Sequence, residues 1–103
     1  MIAGLEKMLA QGKDSPELRF GLGNAYLAQG DASQAAVHLQ CCVAIKPDYS
    51  AAWKLLAKAQ QAQGLNEAAI ATYHQGIFVA QQQGDKQTEK EMQVFLKRLM
   101  KKQ

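Results

Sequence analysis

A chain of 103 residues that is 48% hydrophobic and 20% charged has room for one core and none for a second domain. Its balance excludes a disordered chain and a bulk-apolar membrane protein. Twelve lysines and arginines against nine carboxylates leave a net charge of +3, with a pI near 9.0, an excess too small to mark nucleic acid as the partner. The opening Met1 to Ala10 carries Glu6 and Lys7 inside its apolar pattern, so it lacks the uninterrupted apolar run of a secretory signal, and a cytoplasmic protein is expected.

In chain order, Ile2, Leu5, Met8 and Leu9 recur at spacings of three and four and predict a short amphipathic helix over residues 2–12. Asp14 or Ser15 then offers an N-cap oxygen, and Pro16 suits a first turn, where an absent N–H costs nothing. A second helix, about Pro16 to Gln29, lines up Leu18, Leu22, Ala25 and Tyr26 and stops at Gly30. Asp31 caps a third, Ala32 to Ile45, with Ala35, Leu39, Cys42 and Val43 inward and Gln34 placed close to a capping-box position. Pro47 ends it.

The hairpin is then written again. Ser50 to Gln63 carries Trp53, Leu56 and Ala57 and stops at Gly64. Asn66 is expected to cap a fifth helix through Tyr73, Ile77 and Val79 that runs to Gln83, because glutamines at 81–83 replace a proline. Gly84 ends it and Asp85 caps a last helix, about 86–102, with Met92, Phe95, Leu96 and Leu99 on one face. Lys97, Arg98, Lys101 and Lys102 crowd its C-terminus, where cations complement the helix dipole. Cys41 and Cys42 are sequence neighbours about 100° apart around a helix, cannot bridge each other, and read as reduced thiols packed as small hydrophobes.

Sliding the sequence against itself by 34 residues superposes Leu22 on Leu56, Ala25 on Ala59, Ala28 on Ala62, Gly30 on Gly64 and Ala35 on Ala69. A period of that length belongs to stacked helical hairpins. The two copies resemble the tetratricopeptide repeat family, whose pattern is aromatic-x-x-Leu-Gly-x-x-Tyr, then Ala-x-x-x-Phe, then Pro. The first, 16–49, has Leu22, Gly23, Tyr26, Ala35, Leu39 and Pro47, with Arg19 where the large aromatic belongs. The second, 50–83, has Trp53, Leu56, Ala57, Ala69 and Tyr73, with Gln60 for the tyrosine and Gln81 for the proline. The resemblance implies an all-α, right-handed superhelix of antiparallel helix pairs: two full repeats between an N-terminal capping helix (2–12) and a C-terminal one (85–102), about six helices in a single domain. Within each repeat Gly23 should meet Ala35 and Ala57 should meet Ala69, with Cys42 and Gly76 at the junctions to the next helix.

The resemblance also implies a function: a protein–protein interaction scaffold or adaptor that binds a peptide or helical segment in the concave groove formed by the first helices. Carried over position by position, the groove is Glu17, Phe20, Asn24, Leu27 and Ala28, then Ala51, Lys54, Leu55, Lys58, Gln61 and Ala62. Phe20, Leu27 and Leu55 offer apolar contact. Asn24 can bond a peptide backbone in both directions, Gln61 extends the second row, and Lys54 and Lys58 form a cationic stripe. A subset of the family grips chaperone C-termini with a two-carboxylate clamp. Here Asn24 matches, but Phe20 and Leu55 replace a lysine and an asparagine, and Asp85 and Glu89 stand where two cations belong. That partner is therefore rejected.

His38, Cys41 and Cys42 share one helix without a second ligand cluster, too little for a four-ligand metal site, and His74 stands alone. Gly21 and Gly23 lie within a helix rather than in a phosphate loop, and no nucleophile elbow or convergent carboxylate pair is present. The residues point to a non-enzyme with no cofactor and no metal. The expected partner is a protein or peptide, without DNA binding or membrane insertion, and the expected state is a monomer. The alternatives are self-association as a homodimer through Leu5, Met8 and Leu9 or the last helix, and binding of RNA or an anionic surface by Lys97, Arg98, Lys101 and Lys102.

Overall fold

The computed structural model describes residues 1–102, and among these the secondary structure is six α-helices. They are α1 (Ile2–Ala10), α2 (Pro16–Ala28), α3 (Ala32–Ile45), α4 (Ser50–Ala62), α5 (Asn66–Gln83) and α6 (Lys86–Lys101). Their ends are set locally. Ser15 Oγ accepts from the Leu18 N–H at 3.0 Å, with Pro16 in the first turn, and Asp31 Oδ1 accepts from the Gln34 N–H at 3.1 Å. Gly30 and Gly84 end α2 and α5 at φ of +86° and +70°, the left-handed conformation that a Cβ resists.

Three expectations are corrected. Asn66 does not cap α5: Leu65 holds the cap position without a side-chain bond, and Asn66 is already the first helical residue. The capping helices are shorter than 2–12 and 85–102, since Gln11 and Lys102 are C-caps and Asp85 is an N-cap. The atoms that face the bare Cα of Gly23 belong to Leu39 rather than Ala35; a Cβ on Gly23 would lie 2.4 Å from Leu39 Cγ. Removing the side chain at 23 is what lets α3 lay a leucine against the α2 backbone.

Each helix packs on its sequence neighbours, and the helices form two layers. The first helices of successive pairs, α2, α4 and α6, touch in order, whereas α3 and α5 do not. This splaying of the outer layer curves the stack and makes the α2–α4–α6 side concave. One buried cluster joins Ala35, Leu39, Cys42 and Val43 of α3 to Ala52, Leu56 and Ala59 of α4. The other joins Ala57 of α4 and Ala69, Tyr73 and Ala80 of α5 to Met92, Leu96 and Leu99 of α6. Gly76 sits at the second junction, where an added Cβ would lie 2.6 Å from Met92 Sδ and 2.8 Å from Trp53 Cβ.

With 18 residues, α5 is one turn longer than the 14-residue α3. Consequently α6 starts 36 residues after α4, not 34. Caps Ser15, Tyr49 and Asp85, then buried Leu18, Ala52 and Thr88, then buried Leu22, Leu56 and Met92 are the equivalent positions. The clamp comparison shifts with this register: the positions assigned to Asp85 and Glu89 belong to Gln87 and Glu91, neither of them a cation.

Candidate protein-binding surface

The concave side carries two equivalent rows. Phe20, Asn24 and Leu27 recur at four and three residues on α2, and Lys54, Lys58 and Gln61 stand 34 residues later on α4, which touches α2. Asn24 and Lys58 are exposed, and Phe20, Leu27, Lys54, Leu55 and Gln61 are half-buried.

Several of these side chains have partners within the chain. The Phe20 ring stacks on Tyr49 with centroids 4.9 Å apart, and Leu27 and Leu55 rest on the first buried cluster, so the apolar floor is held in place before anything binds. Gln61 Oε1 accepts from the Tyr73 hydroxyl at 2.6 Å, and burial pushes that phenol up to about 12.

The expected cationic stripe is largely answered from within. Lys54 Nζ donates to Glu91 Oε1 of α6 at 2.8 Å, a bond that holds the Glu91 carboxyl below its usual range. Lys58 Nζ lies 4.5 Å from the centre of the Phe95 ring, a cation–π arrangement. Glu91 and Phe95 thus complete the concave side, together with Tyr49 beneath Phe20. Reading by repeat could not find Glu91 and Phe95, because the longer α5 moves α6 out of the 34-residue phase.

Asp85 ties α4 and α6 together at their N-terminal ends. Its Oδ2 accepts from the Ser50 hydroxyl at 2.6 Å while Oδ1 caps Thr88. These bonds, that from Ser50 foremost, hold its carboxyl below the ordinary value. Trp53, in the family's aromatic position, donates its indole N–H to the Pro47 carbonyl at 2.8 Å and so braces the turn between the repeats.

Arg19 fills the corresponding aromatic position in the first repeat and builds a polar cluster instead. Its Nε and Nη2 donate to Asp14 at 2.8 and 3.0 Å, and Nη1 meets His38 Nδ1 at 3.1 Å. A guanidinium has no lone pair to accept with, so Nδ1 accepts and the proton of neutral His38 sits on Nε2, facing Glu6 at 3.8 Å. The imidazole stacks on Tyr26 with centroids 5.5 Å apart, and the Tyr26 hydroxyl donates to Glu6 at 2.6 Å, fastening α1 to α2. Burial lowers the His38 pKa, Glu6 opposing and Arg19 assisting. His38 and Cys42 do not form a metal pair: the ring nitrogen faces Arg19, and the Cys42 thiol donates to the Pro16 carbonyl at 3.3 Å, with burial raising its pKa to about 11. Among the described residues no three His, Cys, Asp or Glu side chains converge as metal ligands, and no helix is long and apolar enough to cross a membrane.

Comparison with known proteins agrees with this architecture. The tetratricopeptide repeat family matches residues 27–87. A TPR repeat-containing protein of Pseudomonas aeruginosa is 59% identical over 99 residues, which cover 96% of this chain and 94% of that one. A Bordetella parapertussis protein solved in solution superposes with a TM-score of 0.87 at 42% identity, over 99% of this chain and 89% of that one. A crystallised tetratricopeptide repeat domain protein of Salinibacter ruber does so with a TM-score of 0.79 at 29% identity, over 84% and 97%. Domains of this kind mediate protein–protein interaction, and on the family match, the sequence identity and the superposition the chain belongs to the tetratricopeptide repeat family.

Proposed function

We propose that this protein is a non-catalytic adaptor that works as a monomer in the cytoplasm and holds one peptide or helical segment of a partner protein in its concave groove. The observation that carries the reading is the pair of matched rows, Phe20–Asn24–Leu27 and Lys54–Lys58–Gln61, on two helices in contact. The rows combine pre-placed apolar surface with an exposed amide and an exposed ammonium. That combination suits an amphipathic segment whose backbone bonds Asn24 and whose apolar side chains meet Phe20, Leu27 and Leu55. Because Lys54 is balanced by Glu91, the electrostatic selection falls to Lys58 and is milder than two unpaired lysines would give.

The test places a photo-crosslinking residue at position 24 and, as a control, at Gln40, which is exposed on α3 in the outer layer. In native lysate, position 24 should capture a defined partner that Lys58→Glu reduces, and position 40 should not. Equal capture at both positions, or none at 24, would reject the groove.

A further inference from the structure

α6 is equivalent in register to the first helix of a pair, and among the described residues it meets only α5 and α4. In the complete pairs, the position after the buried leucine is Gly23 or Ala57, and it receives the second helix: Leu39 of α3 lies against Gly23, and Ala57 clusters with Ala69 and Tyr73 of α5. About one turn on, Tyr26 stacks on His38 of α3 and Gln61 bonds Tyr73 of α5. Shifted by the 36 residues that separate α4 from α6, the line Ala57, Gln60, Gln61, Gly64, Leu65 becomes Gln93, Leu96, Lys97, Met100, Lys101. Those five residues line one shallow, mostly apolar depression, and no described helix covers it. It lies to one side of Glu91 and Phe95, which face α4.

We propose that this depression is a docking site for one acidic amphipathic helix of another protein, which lies along α6 with its apolar stripe on the exposed Met100 and the rim that Leu96 leaves uncovered, and its carboxylates at Lys97 and Lys101. Continuity of packing supplies the shape at Gln93, Leu96 and Lys97, whose equivalents Ala57, Gln60 and Gln61 lie on the helix that carries α5, while Met100 and Lys101 extend that face by a turn where α4 has already ended at Ala62. Charge supplies the chemistry. Lys97, Arg98, Lys101 and Lys102 are exposed at this end of α6, whereas its carboxylates Glu89 and Glu91 lie nearer the other end and Glu91 is paired with Lys54. The four clustered cations therefore give this end of α6 a positive field that selects a negative partner. A second copy fits less well. Two α6 helices face to face would oppose their own lysines, and α1 presents Lys7 to solvent while its Glu6 is held by Tyr26.

The experiment uses the full chain and a fluorescein-labelled synthetic helix of the length of α3, 14 residues, with leucines at three- and four-residue spacing flanked by glutamates. Anisotropy titration is expected to show saturable binding that weakens as salt rises, with the methionine-methyl NMR signal of Met100 shifting and that of Met1 unmoved. Lys97→Glu with Lys101→Glu should weaken binding about tenfold or more, since two attractions become two repulsions; Lys97→Gln with Lys101→Gln should fall between, and Asn24→Ala should have no effect. All the substituted positions are exposed, and circular dichroism checks that the variants fold. The proposal is overturned by absence of saturable binding, by equal binding of the same peptide with lysines for glutamates, by indifference to both lysine pairs, or by loss on Asn24→Ala, which would assign the peptide to the groove. A stable dimer in sedimentation that Met100→Glu dissolves would overturn it in favour of a second copy.

Discussion

Gly21 and Gly23 sit two residues apart on α2 and should respond oppositely to the same added methyl group. In a helix interior Gly→Ala gains roughly 0.5–1 kcal/mol, because the unfolded chain loses freedom. At Gly21 the new Cβ would meet only Leu5 Cδ1, at 3.8 Å, an ordinary contact, so Gly21→Ala should realise that gain. At Gly23 it would lie 2.4, 2.6 and 3.1 Å from three carbons of Leu39, a side chain with no exposed surface, whereas carbon atoms rest about 3.5–4.0 Å apart. The nearest of the three is the branching Cγ, close to the α3 backbone, so relief requires the helices to part by about 1 Å. Overpacking of this kind costs about 1–3 kcal/mol and occasionally more. After the propensity gain is subtracted, Gly23→Ala should destabilise by about 1–2 kcal/mol, a fall in midpoint of several degrees for a domain of this size. Urea melts followed by far-ultraviolet circular dichroism measure both variants. Leu39→Ala should relieve part of the Gly23→Ala penalty in the double variant, a coupling between contacting sites. If Gly23→Ala proved as stabilising as Gly21→Ala, the close approach of α2 and α3 would be wrong.

Ala35→Leu and Ala69→Leu, at fully buried positions, should each destabilise by about 1–3 kcal/mol in the same melts through overpacking. Because burial lowers the folded-state pKa of His38, the unfolded chain binds more protons below its ordinary value near 6.5. Stability should therefore fall as pH drops through 6.5 toward the depressed folded value, with His38→Gln flattening that limb in urea melts run across pH. Gln60 Oε1 is buried without a hydrogen-bond partner, so Gln60→Leu should stabilise by about 1 kcal/mol in thermal melts by removing an unanswered acceptor. Deleting 86–103 uncovers Tyr73 and Ala80, which pack against Met92, Leu96 and Leu99, and removes the Glu91 tie to α4; light scattering should show aggregation, and a soluble truncation that unfolds cooperatively would count against α6 as the cap.

Local chemistry is what could be read along the chain. Caps such as Ser15 and Asp31, stops such as Gly30 and Gly84, and small residues recurring between large ones act within a few residues of themselves, so they identify helices, their pairing and the family without any knowledge of the fold. Asn66 failed as a cap although its chemistry permits one, because α5 begins one residue earlier, at a position where Leu65 has no side-chain bond to offer. The exposure of Asn24 on α2 and Lys58 on α4 was legible for the same reason as the repeats: residues between buried positions face outward by helical geometry alone.

Sequence by itself determined an all-α repeat with two pairs and a cap at each end, since periodic small and large residues leave no other way to bury their faces. Only the tertiary structure decided what the outward residues do. Lys54 and Glu91 are 37 positions apart and Lys58 and Phe95 likewise, a separation that follows from the longer α5 and not from any repeat. Arg19 breaks the family pattern in sequence, yet in space it joins Asp14 to His38. Charge pairs and exposed faces depend on which helices meet at which register, and one extra turn in α5 moved that register for the whole C-terminal end.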